Sequence, residues 1–181
     1  MKIECLDFKL SGDEARKLFK SRKRQLKIGQ FRFDTGFYLP YYLFRVEILN
    51  SGKLTSQLLA IDALTGELDL YGFDQTPTEF VEIETSQIGT IVLSEKQAMA
   101  VLKEKARRQI YLQGFFKITD LSITGTMIRL IYIPYWVGFY TRNNRADIEV
   151  IDAVRGRFEG GKVRDLVMEW FAQEAHSRQG K

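Results

Sequence analysis

The sequence predicts an α+β chain of two tandem units, each a helix packed on an antiparallel β-sheet, ending in a C-terminal amphipathic helix. Three recurrences carry this prediction. Residues 38–44 read YLPYYLF and residues 132–138 read YIPYWVG, so an aromatic-flanked proline recurs at Pro40 and Pro134. Downstream of each, 59–68 read LAIDALTGEL and 149–158 read EVIDAVRGRF. Upstream, Leu10-Ser11-Gly12-Asp13-Glu14 matches Leu93-Ser94-Glu95-Lys96-Gln97. The order is the same each time and the period is near half the chain, as in a tandem duplication with loop-length changes. The units are drawn at 1–88 and 89–181, either as two domains or as one compact pseudo-symmetric domain.

Each unit opens with a helix signal. Ser11 and Ser94 are N-cap residues, and Glu14 and Gln97 complete capping boxes, in which the serine oxygen accepts from a free backbone N–H and the longer side chain reaches back. Leu10 and Leu93 hold the staple position just before the cap. Ala15, Leu18, Phe19 and Leu26 form the first apolar stripe, interrupted by Arg22; Ala98, Val101, Leu102, Ala106 and Ile110 form the second. Gly29 and Gly114 are the expected stops.

Strand-like sequence follows each helix. The first pair is expected over 37–49 and 54–64, joined by Asn50-Ser51-Gly52-Lys53. The second is expected over 127–141 and 146–154, joined by Arg142-Asn143-Asn144-Arg145. Both joints are rich in residues that accept positive φ. The second hairpin is shorter, as if trimmed by two residues per arm, which keeps every side chain on its face. Asp62 and Asp152 then read as turn residues whose carboxylates take backbone N–H groups, with Gly66 and Gly156 left-handed. Further strands are expected over 67–73 and 79–84. Val163, Leu166, Val167, Trp170 and Phe171 set the stripe of the last helix, and the chain from Ala175 onward reads as a polar tail. Because proline lacks the ladder N–H, Pro40 and Pro134 should lie on edge strands, at strand starts or at bulges, where a long strand bends or ceases to pair.

A helix, an antiparallel hairpin and an Asp-Ala-x-x-Gly turn in this order resemble the PepSY-like unit. The residues that carry the resemblance are Ile61-Asp62-Ala63-Leu64-Thr65-Gly66-Glu67 and Ile151-Asp152-Ala153-Val154-Arg155-Gly156. The resemblance implies one helix on a small antiparallel sheet, and an inhibitory or interaction module rather than a catalyst. It also implies an extracytoplasmic setting, whereas the sequence beginning MKIECLDFKLSGDE places acids where an export signal needs an apolar run.

Composition bounds the rest. The chain has 181 residues, 45% hydrophobic and 28% charged, an ordinary globular balance. No stretch approaches the roughly 18–20 apolar residues of a membrane span. Cys5 is the single cysteine, so no internal disulfide forms, and a reducing, cytosolic compartment is expected. With one Cys and one His in the whole chain, no four-ligand zinc site and no cofactor are expected. Cysteine–histidine chemistry would need Cys5 beside His176, which stand near opposite ends of the chain. Phosphate-loop motifs are absent from the sequence.

Three function classes remain, and the leading one is a non-catalytic binding or protein-interaction module with no catalytic residues. The aromatics of the proline phrases are its candidate surface for a protein or small apolar ligand: Tyr38, Tyr41, Tyr42, Tyr132, Tyr135 and Trp136. Adjacent rings such as Tyr41 and Tyr42 point to opposite faces of a strand, so one set needs a partner beyond its own helix. That partner is the other repeat, a second copy in a homo-oligomer, or a ligand. The second class is a nucleic-acid-associated protein. Between 15 and 32 the chain carries Arg16, Lys20, Lys23, Arg24 and Lys27 among eight basic residues and no acid, near Phe31, Phe33, Phe37 and Tyr38. Its plainer reading is a solvated helix face. The third is a hydrolase-type enzyme with Asp62 and Asp152 as paired carboxylates, against the plainer reading that each caps its own turn.

Overall fold

The computed structural model describes residues 2–69, 79–83, 87–112 and 120–179, with 68–69, 79–81 and 173–179 as backbone. The elements are β1 (Lys2–Cys5), α1 (Gly12–Phe19), α2 (Arg22–Ile28), β2 (Gln30–Asn50), β3 (Lys53–Asp62), β4 (Leu68–Asp69), β5 (Glu79–Glu82), α3 (Glu95–Leu112), β6 (Ser122–Arg142), β7 (Arg145–Asp152), β8 (Arg157–Phe158) and α4 (Gly161–Gln179). The class is α+β, and each pairing with a defined register is antiparallel. Hydrogen-bonded neighbours run β4-β3-β2-β6-β1-β5, with β7 on β6 and β8 on β7. The strand over 67–73, of which β4 is the described part, and the last residue of the strand over 79–84 reach outside the described residues, and the helix stop at Gly114 lies outside them. Among the described residues, no helix is long and apolar enough to cross a membrane.

Both hairpins turn on two residues with positive φ, Ser51 (51°) and Gly52 (76°) in one, Asn143 (50°) and Asn144 (61°) in the other. Only such mirror-image turns match the right-handed twist of the arms they join. The first ladder runs from Tyr41↔Asp62 to Asn50↔Lys53 and the second from Tyr135↔Asp152 to Arg142↔Arg145. The second arms are each two residues shorter, and Tyr-to-Asp pairing closes both ladders. Pro40 and Pro134 come just before the first paired residue of each hairpin. They lie within the long strands β2 and β6 rather than at strand starts, but at the point where the hairpin ladder ends.

The basic stretch does not form one helix. The chain breaks at Lys20-Ser21 and restarts as α2, whose cap Ser21 makes no side-chain bond to the helix. The predicted stripe is corrected accordingly: Ala15 and Phe19 are buried, but Leu18 is 39% and Leu26 72% exposed. Strand β1 carries no expectation from the sequence; Ile3 and Cys5 are buried by alternation along it.

The fold packs as two compact units. The first comprises Met1–Tyr38, Glu79–Gly89 and Ile133–Lys181; the second comprises Leu39–Thr78 and Thr90–Tyr132. The sequence boundary near 88 does not coincide with this division, because each unit takes segments from both halves of the chain. In the first unit, α1 from the N-terminal half packs on the β6–β7 hairpin. Ala15, Phe19, Tyr140 and Ile151 are its buried centre, with Leu10, Ile28, Phe31, Trp136 and Phe158 around them. Phe19 sits edge-on to Tyr140 (6.4 Å) and Phe158 (6.0 Å). On the other face of β6, Phe139 meets Phe171 of α4 (5.3 Å), and Phe37 of β2 meets Trp170 (4.8 Å).

In the second unit the roles reverse: α3, from the C-terminal half, covers the β2–β3 hairpin. Ala98 and Leu102 of α3 join Tyr42, Phe44, Val46, Leu59, Ile61 and Ala63 in one buried cluster. Tyr42, Phe44 and Val46 alternate along β2, and the ladder sets Tyr42 opposite Ile61 and Phe44 opposite Leu59, so one face of the hairpin is apolar.

Gly138 makes room for the helix of the first unit. A Cβ there would lie 2.7 Å from two ring atoms of Phe19. Gly138→Ala is therefore expected to destabilise the chain by about 1–3 kcal/mol through overpacking. In urea unfolding, Gly138→Ala combined with Phe19→Leu should cost less than the two single changes added together. Strict additivity would contradict the packing of α1 on β6.

Candidate functional site

Each Asp-Ala turn is a junction of backbone and side-chain bonds. Asp152 is fully buried and Asp62 is 3% exposed. The Asp62 carboxylate accepts from the N–H of Leu64 (2.8 Å) and Thr65 (3.2 Å) and from the Thr65 hydroxyl. The Asp152 carboxylate accepts from the N–H of Val154 and Arg155, both at 2.8 Å, and from the Arg155 guanidinium at 3.3 Å. Gly66 and Gly156 close the turns by donating to Asp62 O (2.9 Å) and Asp152 O (2.8 Å). Both glycines have left-handed φ, 77° and 67°. The adjacent alanines donate to the proline carbonyls, Ala63 to Pro40 (2.9 Å) and Ala153 to Pro134 (3.0 Å). The alanine carbonyls in turn accept the residues that lead into the helices: Val92 and Leu93 at Ala63, Lys9 and Leu10 at Ala153. Both carboxylates are thus engaged as turn caps, the plainer of the two roles considered for them.

The six candidate aromatics lie inside the packing. Tyr38, Tyr41, Tyr42, Tyr132 and Tyr135 are buried, and Trp136 is half-buried. Two polar tips at matching positions of the phrases serve the fold: Tyr42 Oη donates to Leu93 O (2.9 Å) and Trp136 Nε1 to Leu10 O (2.8 Å). Phe8 packs on both Tyr38 (6.4 Å, edge-on) and Trp136 (6.0 Å). Alternation puts Tyr135 on the side of β6 where Phe139 meets α4, so in the first unit the C-terminal helix partners that set of rings.

The basic candidates divide by partner. Arg16 binds Asp34 through two nitrogens (2.8 and 3.3 Å), and Lys20 stands 5.7 Å over the Phe31 ring. Arg24 chelates Glu149 (2.7 and 3.0 Å) while its guanidinium lies 3.6 Å over Phe158. Lys23 and Lys27 are exposed. Lys27 lines a cleft.

That cleft, of about 670 Å³, lies in the first unit and is bordered by Lys27 and Ile28 at the end of α2, the β6–β7 turn with Arg142, Asn143 and Arg145, then Ala146, Asp147 and Glu149 of β7, and Arg164 of α4. Arg142 Nη1 donates to Lys27 O (3.1 Å), tying the turn to α2. Asp147 accepts from the N–H of Ile148 (2.8 Å). Burial pushes the Glu149 carboxyl up, against the pull of Arg24, Lys27 and Arg164. Arg142, Arg145 and Arg164 were not distinguished in the sequence: two are flanks of a turn and one is an ordinary helix residue, and only folding gathers them. Among the described residues, no three His, Cys, Asp or Glu side chains gather as metal ligands. Cys5 is buried, and the side chain of His176 lies outside the described residues. No family model, curated protein or solved structure matches the chain.

Two outcomes follow from this wiring. Trp136→Phe keeps the ring body and removes the N–H to Leu10, and should cost about 1 kcal/mol, whereas Trp136→Ala should cost about 3–5 kcal/mol in chemical denaturation. Tyr140 is buried, and its hydroxyl donates to Phe19 O (2.9 Å). Burial, aided by Glu149 and opposed by Arg24, pushes its phenol far above the ordinary value of about 10. The fold therefore favours the neutral phenol. That contribution is complete below the unfolded value and is lost as pH rises through the folded one. Ultraviolet titration should show Tyr140→Phe removing a phenol that ionises only in strong alkali or on unfolding; loss of a tyrosine that titrates normally would contradict this.

Proposed function

We propose that the chain is a non-catalytic binding module built of two equivalent PepSY-like units, with the cation-lined cleft of the first unit as its binding site. The observation that carries this reading is the convergence of Lys27, Arg142, Arg145 and Arg164, drawn from three separate segments, around one opening. Equivalence of the units is supported by the recurrence of the same bonds at matching positions: the capping boxes of Ser11–Glu14 and Ser94–Gln97, the two buried Asp turns, and the paired alanine junctions. On this reading α4 is an amphipathic helix. Val167 and Trp170 are buried, Val163, Leu166 and Phe171 are half-buried, and Met168 faces out. The setting is taken as reducing and cytosolic, with Cys5 a buried core thiol.

A nucleic-acid-associated role for 15–32 is the second reading. The exposure of Lys23 and Lys27 favours it; the engagement of Arg16, Lys20 and Arg24 within the protein weighs against a continuous basic track.

The test is a ¹H–¹⁵N titration of the full chain with pooled metabolites and short peptides. Shifts should cluster at Lys27, Arg142–Glu149 and Arg164, with every added compound recovered unchanged. Shifts centred on α3 or dispersed over the surface, or turnover of a component, would overturn the proposal.

A further inference from the structure

Building on the cleft reading, we infer that the cleft takes a compact phosphate-bearing small molecule. The first support is charge accounting. Four cations face two carboxylates in the lining. Glu149 is chelated by Arg24, which lies outside the lining, and Asp147 keeps its charge while accepting from the N–H of Ile148, so the lining holds an excess of two cations over acids. On the cationic side, the side chains of Lys27 and Arg145 have no hydrogen-bond or ion-pair partner among the described residues. Arg164, whose side chain is 42% exposed, has its Nε buried without a hydrogen bond and pairs loosely with Asp165 at 3.6 Å. Like charges gathered in a recess repel one another, and a multivalent anion relieves that repulsion.

The second support is placement. Arg164 stands in the first turn of a 19-residue helix, and that turn contains no acid. The positive end of the helix macrodipole disfavours a cation there, so the residue gains from an anion that both can hold. The third is geometry and size. Three of the four cations are arginines, whose planar forks match phosphate oxygens in pairs. The volume falls within the roughly 300–1,000 Å³ of small-ligand sites. A polynucleotide would need a continuous track of cations beyond the cleft, but Arg16, Lys20 and Arg24 already contact Asp34, Phe31 and Glu149, which leaves Lys23 of the five candidates outside the cleft without such a contact among the described residues.

The experiment is calorimetric titration of the full chain with inorganic pyrophosphate, beside Arg145→Ala, Arg164→Gln and, outside the cleft on the exposed side of α1, Lys17→Ala. One saturable site is expected, weakening as salt rises. Arg145→Ala and Arg164→Gln should each lower affinity by about ten-fold or more, and Lys17→Ala should leave it unchanged. Unaltered melting of the ligand-free variants shows that each is folded. Absence of saturation at low salt, or equal weakening by Lys17→Ala, overturns the proposal. So does an oligonucleotide whose affinity grows with length and which pyrophosphate fails to displace; that result would move the assignment to the nucleic-acid reading. If pyrophosphate fails while the metabolite pools still shift Arg145 and Arg164, the cleft stands as a site and its phosphate chemistry falls. If both fail, the cleft reading falls with it.

Discussion

Two alanine residues hold the architecture at its points of greatest constraint. Ala63 and Ala153 each follow a buried aspartate, donate to a proline carbonyl and receive two incoming backbone N–H groups on one carbonyl. A carbonyl has two lone pairs, and here both are used. Alanine suits the position because both residues are fully buried where strand, turn and helix entry meet, leaving little room for a longer side chain. The proline strengthens the arrangement. It brings no N–H into the strand and offers its carbonyl at the residue where the hairpin ladder stops. The aspartate then closes the turn from inside, satisfying N–H groups that burial would otherwise leave unpaired.

The residues entering each alanine carbonyl come from the other half of the sequence, and that detail decides which helix covers which hairpin. Leu10 and Leu93 occupy matching positions before matching caps, yet Leu10 docks beside Asp152 and Leu93 beside Asp62. The helices are exchanged between hairpins. Nothing in the local sequence distinguishes this from packing in place. Capping boxes, stripe spacing and turn chemistry are properties of a few adjacent residues, and they read the same whichever hairpin a helix covers. That is why the hairpin strands, their turns, the Asp caps and the two-residue trimming of the second hairpin were legible, and why the partition of the chain was not. The break at Lys20-Ser21 was missed for a related reason. The stripe resumes at Leu26 after its interruption at Arg22, so its spacing did not reveal that Leu26 stands outside the packing of Phe19 on Gly138.

The same logic separates the legible from the illegible at the candidate site. The basic stretch was visible as composition, but composition does not say which cations already have partners. Asp34, Phe31 and Glu149 quiet three of them, and Glu149 lies far along the chain from Arg24. Of the two candidates that remain, Lys23 and Lys27, the second gains meaning beside Arg142, Arg145 and Arg164, whose sequence contexts are a turn and a helix start. The aromatic phrases are conspicuous in composition, but in the fold Tyr42 and Trp136 bond the residues that enter the junctions, Leu93 and Leu10.

Exchange of the helices also sets an order of events while the chain is being made. The β2–β3 hairpin leaves the ribosome with one apolar face, including Phe44, Val46, Leu59 and Ile61, and the helix that covers it is not yet synthesised. Helix α1 emerges first and waits longest, since its hairpin lies beyond residue 130. Contacts of such sequence separation carry a loop-closure cost before they return any stabilisation, and they slow folding. During that interval the uncovered hairpin face is the segment most exposed to misassociation with other nascent chains. The fold therefore places its greatest vulnerability in the time between the two hairpins rather than at any one residue.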